Sequence, residues 1–160
     1  MESFLTWLKS WFTRPREYMN LKEYSIFADL GSYDLFMLNE LIHTREFKPG
    51  ETIFEAGYPL EVIYLIKSGE IELKGCYGSK LNKLLTKGGH LGLLDMYFNG
   101  QRNSTATAKT KVCAHAISRS DLQEFVKSRP HAGVEILSAI NRDVCRMIFE
   151  LAADEEHELD

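Results

Sequence analysis

The spacing of apolar residues along this chain changes period twice. Residues 3–12 carry Phe4, Leu5, Trp7, Leu8, Trp11 and Phe12, the spacing of a helix with one wide apolar face. Lys9, Arg14 and Arg16 lie close by, and Pro15 ends or follows that helix. Residues 17–46 read as helical with breaks. Gly31-Ser32 is a turn, and Ser32 is the expected N-cap of a helix Tyr33–His43 with Leu35, Leu38, Leu41 and Ile42 on its apolar side. From Phe47 the period shortens to two. Phe47–Phe54 is a strand interrupted by Pro49-Gly50, Val62–Ile66 is a β-branched and aromatic strand, and Glu70–Leu73 alternates polar with apolar. Leu81–Leu85 and Val112–Ile117 add two further strands. The helical period returns at Ser120, the expected cap of a helix broken at Arg129-Pro130, and a longer helix spans Ala132–Ala153.

The order is helices, then short strands punctuated by Gly and Pro, then helices. That pattern gives an α+β, mainly β fold: a double-stranded β-helix or jelly-roll barrel flanked by N-terminal helices and a long C-terminal helix. The domain map is an amphipathic segment 1–16, a domain 17–153 with its barrel at about 45–118 and helices at 120–153, and an acidic tail 154–160. Leu137, Ile140, Val144, Met147 and Leu151 follow one another in three- and four-residue steps. They fit a homodimer seam and packing on the barrel equally well. The face holding Phe4, Trp7, Leu8 and Trp11 has two readings: docking on the domain or a protein partner, or lying on a membrane surface.

Composition narrows the classes. With 44% hydrophobic residues in 160, one core can form. Nineteen basic against 23 acidic side chains leave a net charge of −4, which argues against a dedicated nucleic-acid binder. Cys76, Cys113 and Cys145 are too far apart for a CxxC site and read as reduced, buried thiols. No run of 18 apolar residues occurs and the start lacks a signal-peptide pattern, so the cytoplasm is the expected location. His43, His90, His115, His131 and His157 are scattered, with no ligand pair at metal spacing and no nucleophile motif nearby. Neither an enzyme, a metal site nor a bound cofactor is expected.

The chemistry concentrates between Lys87 and Ala108. Gly88, Gly89 and Gly92 permit close backbone approach, and Leu93–Phe98 forms one short helical turn whose first N–H groups point outward. Arg102 follows the Asn99-Gly100 turn, with Asn103, Ser104 and Thr105 beyond it. A guanidinium grips phosphate through paired hydrogen bonds, so these residues make a candidate anion site.

Here the sequence resembles a family. Phe47-x-Pro-Gly-Glu-x-Ile-Phe-x-x-Gly-x-Pro59, then Ile63-Tyr-Leu-Ile-x-x-Gly-Glu-Ile-x-Leu73, is similar to the first half of a cyclic-nucleotide-binding domain. Ile26–Leu30 resembles its helical lead-in, and Gly89-x-Leu-Gly-x-Leu94 with Arg102-x-x-Thr-Ala-x-Ala108 resembles its phosphate-binding cassette. The likeness runs from about Leu21 to Phe149. It implies a jelly roll, a C-terminal helix that moves over the pocket, and a ligand-binding set of Gly92, Leu93, Leu94, Arg102, Asn103, Ser104 and Thr105. Arg102 stands where the family binds the cyclic phosphate. Two positions depart: Leu93 replaces the Glu that accepts the ribose 2′-hydroxyl, and Gln101 replaces a Pro. A buried hydroxyl left without a partner costs about 1–3 kcal/mol. Base contacts would come from Asn141, Arg142 or Arg146 on the final helix. Bacterial relatives often continue into a DNA-binding helix-turn-helix, and this sequence stops at Asp160 after the long helix.

Two functions follow. One is a regulatory module that senses cyclic AMP, cyclic GMP or another small anion and signals through its last helix. The other is a cyclic-nucleotide-binding-like domain that takes no ligand and acts as a protein-interaction scaffold.

Overall fold

The computed structural model describes residues 17–75, 82–98 and 100–157. The segment 1–16, with its membrane-facing alternative, lies outside them, as does Cys76. Two 3-10 turns, Glu17–Glu23 and Ser25–Phe27, lead into α1 (Ser32–Asn39). Eight strands follow: β1 (His43–Phe47), β2 (Thr52–Phe54), β3 (Val62–Ser68), β4 (Ile71–Lys74), β5 (Lys83–Leu85), β6 (His90–Leu91), β7 (Thr105–Ala108) and β8 (Val112–Ser118). Helix α2 (Leu93–Phe98) sits between β6 and β7. Helices α3 (Arg119–Ser128) and α4 (Pro130–His157) close the chain.

The strands form two four-stranded sheets, ordered β1-β8-β3-β6 and β2-β7-β4-β5, with antiparallel neighbours throughout. They face each other as the layers of a jelly roll. β3 explains the layering. Ile63 and Leu65 point to a cluster shared with Phe27, Leu35, Leu38 and Ile136, whereas Tyr64 and Ile66 join Ile71, Leu73, Ala106 and Val112 between the sheets. A strand buried on both faces needs the unbroken apolar run seen here. Gly69 makes the β3–β4 turn at φ +91°, and a Cβ there would stand 2.4 Å from the Lys111 carbonyl oxygen.

Several boundaries differ from the sequence reading. Helix α1 ends at Asn39 and His43 begins a strand, because β1 pairs with β8 from His43 opposite Ala116 to Phe47 opposite Val112. Gly31, not Ser32, occupies the N-cap. Ser118 rather than Ser120 caps α3, its Oγ accepting from the Asp121 N–H at 3.0 Å. Helix α4 continues to His157, so the acidic stretch begins inside it. Cys145 is exposed rather than buried. The expected seam divides: Ile140 is buried against the domain, Leu137 is exposed, and Val144 and Met147 are half-buried.

His115 on β8 packs edge-on to Tyr24, ring centroids 5.9 Å apart, and its Nδ1 is buried without a partner. Burial, and then the Lys67 charge, hold its pKa below the usual histidine value. The neutral ring is therefore the folded form. Its contribution is present above the unfolded value of about 6.5 and is lost as pH falls below it. Thermal melts should show wild type losing stability between neutral and mildly acidic pH by more than His115→Phe does.

Candidate functional site

The segment 100–102 is fixed by backbone hydrogen bonds to the loop between β2 and β3. Leu60 N–H donates to the Gly100 carbonyl, Arg102 N–H to the Tyr58 carbonyl, and Gly57 N–H to the Arg102 carbonyl, each at 2.8 Å. Pro59 and Gln101 form a bridge within this ladder. The ladder aims the Arg102 side chain inward, where only 5% of the residue is exposed.

The guanidinium lies 3.8 Å from the centroid of the Phe54 ring and 5.9 Å from that of Tyr64. Its Nη2 donates to the Val62 carbonyl at 2.5 Å. Nε and Nη1 are buried without partners. Among the described residues no carboxylate stands within ion-pair distance of Arg102. Burial disfavours its charge, and the field of Tyr64 and then Asp95 offsets part of that penalty. Asp95 is itself buried, which pushes its carboxyl above the usual range, and it accepts a hydrogen bond from Asn103 Nδ2.

A cavity of about 390 Å³ opens between β2 and β3, with Arg102 in its wall beside Phe54, Val62 and Tyr64 and with Glu55 and Glu61 at its exposed rim. That volume falls within the range of small-molecule sites.

Of the seven residues expected from the sequence, Arg102 alone lines this cavity. Gly92 touches the site from behind: at φ +94°, a Cβ there would stand 2.7 Å from both Arg102 Nη1 and Leu60 Cδ1. Leu93 is fully buried in the cluster beneath the helices, and Leu94 packs on that cluster half-buried. Asn103 holds Asp95, Ser104 is buried, and Thr105 Oγ1 accepts from the Ala56 N–H at 3.1 Å. These residues frame the loop rather than line the cavity. Asn141 is exposed, Arg142 pairs with Asp29 at 2.8 Å and Arg146 with Asp143, so none of the three base-reading candidates lines the cavity.

Phe54 and Tyr64 are the residues that sequence reasoning missed. Their signal was present: Phe47, Phe54 and Tyr64 are aromatic positions of three different strands, and all pack into the space between the sheets. Gly92→Ala should fail twice, through a left-handed backbone costing about 1–3 kcal/mol and through displacement of Arg102. Its melting temperature and its affinity for anions should both drop, as differential scanning fluorimetry with added phosphate would show.

Comparison with known proteins places the chain. The family description "Cyclic nucleotide-binding domain" matches residues 44–129. The cAMP-dependent protein kinase regulatory subunit of Pyricularia oryzae is 29% identical over 120 residues, covering 74% of this chain and 31% of that protein. The CRP-like cAMP-activated global transcriptional regulator of Mycobacterium tuberculosis is 28% identical over 130 residues, covering 79% of this chain and 58% of that protein. This chain thus spans roughly a third to somewhat over half of these relatives' lengths. Among solved structures, the regulatory subunit of a cAMP-independent protein kinase A from Trypanosoma brucei superposes with a TM-score of 0.71 at 23% identity. It covers 88% of this chain and 49% of that one, and shares the fold.

Proposed function

Because the chain belongs to the cyclic nucleotide-binding domain family, we propose that it is a regulatory module whose Arg102 receives the phosphate of a cyclic nucleotide or a similar small anion. One observation carries this reading: a buried guanidinium beside a cavity that has, among the described residues, no partner for two of its N–H-bearing nitrogens and no carboxylate in ion-pair distance. Such a cation is costly in isolation, and an anionic ligand relieves that cost through charge-assisted hydrogen bonds. Phosphate is the fitting chemistry, since a planar fork meets two oxygens at once.

Signalling through α4 has a physical basis in the contacts of β6. His90 lies two residues before Gly92, and its Nε2 stands 3.5 Å from Asp143 Oδ2 on α4. Ser25 Oγ donates to the same carboxylate at 3.1 Å, and Arg146 pairs with it. The His90 hydrogen bond is the largest reason that the Asp143 carboxyl is held below its usual value. The strand leading to the cassette is thereby tied to the final helix, and a ligand that shifts one biases the other.

Hydrogen–deuterium exchange with and without cyclic AMP tests the reading. Ligand should change exchange along α4, and Asp143→Asn should raise exchange there without ligand while weakening the ligand response. Unchanged α4 exchange at saturating cyclic AMP, in a sample whose melting temperature rises, would retain the anion site and remove the helix signal.

The ligand-free scaffold is the second reading. It is favoured by Phe54 stacking on Arg102 and by the bond to the Val62 carbonyl, which satisfy part of the guanidinium internally.

A further inference from the structure

The cavity beside Arg102 has a charge pattern that anion capture alone does not use. Its walls carry one cation, the buried Arg102, and two carboxylates, Glu55 and Glu61, at the exposed rim. The chain puts all three at one opening. Glu55 directly follows Phe54, whose ring stacks on the guanidinium, and Glu61 directly precedes Val62, whose carbonyl accepts from it. Neighbouring Cα atoms lie about 3.8 Å apart, so the two contacts that hold the guanidinium also bring both carboxylates to the same mouth.

Neither carboxylate is neutralised. Among the described residues neither forms an ion pair, with Arg102 or with any other cation. Arg119 donates its backbone N–H to the Glu61 carbonyl at 2.8 Å, but its guanidinium packs on Gly100, where a Cβ would meet Nη1 at 2.5 Å, and it does not line the cavity. The first negative charge of an entering anion therefore finds Arg102, whose Nε and Nη1 have no partners. A second charge on the same anion finds no cation among the lining residues and faces two carboxylates. Like charges set opposite a ligand reject it as surely as contacts attract one.

We propose that Glu55 and Glu61 restrict the Arg102 site to singly charged phosphates, admitting phosphodiesters and rejecting monoesters and polyphosphates. This rests on the reading of Arg102 as an anion receptor and adds the residues that decide which phosphate enters. A diester carries a single negative charge, whereas a monoester carries about 1.5–2 at pH 7. The uncharged part of the ligand meets Tyr58, an exposed ring in the same wall.

Adenosine 5′-monophosphate and its methyl ester separate charge from ring closure, since neither is cyclic and the ester has lost one charge. Isothermal titration of wild type at low ionic strength should give the methyl ester about tenfold tighter binding than the monoester, with cyclic AMP also tighter than the monoester. The double variant Glu55→Gln, Glu61→Gln should tighten the monoester more than the methyl ester and close the gap between them to within about threefold. Added potassium chloride should narrow the gap in wild type, because exposed charges are screened. Glutamine keeps the shape of both exposed side chains, and far-ultraviolet circular dichroism confirms the fold. A monoester that binds wild type as tightly as its methyl ester, or a gap unchanged in the double variant, would overturn the gate and leave the Arg102 site standing. Silence from wild type towards all three ligands would overturn the gate together with the Arg102 reading beneath it.

Discussion

Arg102→Met should leave the ligand-free domain as stable as wild type, within about 1 kcal/mol, while abolishing anion binding. The expectation runs against the usual cost of truncating a buried polar residue, and it follows from the surroundings of the guanidinium. Removing it sacrifices the Phe54 stack, worth about 0.5–2 kcal/mol, and one bond to Val62. It also removes a charge whose Nε and Nη1 have no partners, each unsatisfied group costing about 1–3 kcal/mol. The flexible thioether fills much of the vacated volume. With ligand at a hundred times its Kd, wild type should gain about 2.7 kcal/mol and the variant nothing. Chemical denaturation with and without cyclic AMP measures both halves. A large loss of ligand-free stability in the variant would mean that Arg102 is structural.

The second large effect is at Leu93. Resemblance alone implies that Leu93→Glu would restore a ribose contact. The structure implies the opposite, since Leu93 is fully buried in the cluster holding Leu60, Met96 and Ile117 and does not line the cavity. A carboxylate there has no partner, and the variant should lose more than about 3 kcal/mol. Its melting temperature should fall by roughly 6–12 °C or more. Leu93→Met, which conserves volume, should lose less than about 1.5 kcal/mol. A variant Leu93→Glu that melts like wild type and binds cyclic AMP more tightly would place this side chain at the ligand instead.

These two residues show how far the sequence could be read. Arg102 was legible because a basic residue after a Gly turn, ten positions past Gly92, matches a family pattern. Leu93 was legible as a departure, but its burial was not, because the rotation of a single helical turn depends on what packs above it. Strands rich in β-branched residues, such as Val62–Ser68, announced themselves. His43–Phe47 did not: His-Thr-Arg-Glu-Phe is mostly polar, and only its pairing with β8 makes it a strand. Thr105–Ala108 was hidden for a related reason, since small residues carry little strand preference and β4 and β2 supply the partners on either side. Phe54 escaped because register shifts between Thr52 and Phe54 break the alternation that would assign its face. Both Ile53 and Phe54 then pack into the space between the sheets.

Isothermal titration of wild type and Arg102→Met with cyclic AMP, cyclic GMP and inorganic phosphate bears most directly on the claim that Arg102 is an anion receptor. Wild type should release heat with at least one of the three at a stoichiometry of one per chain, and the variant with none. Silence from wild type towards all three, or equal binding by both proteins, would contradict it.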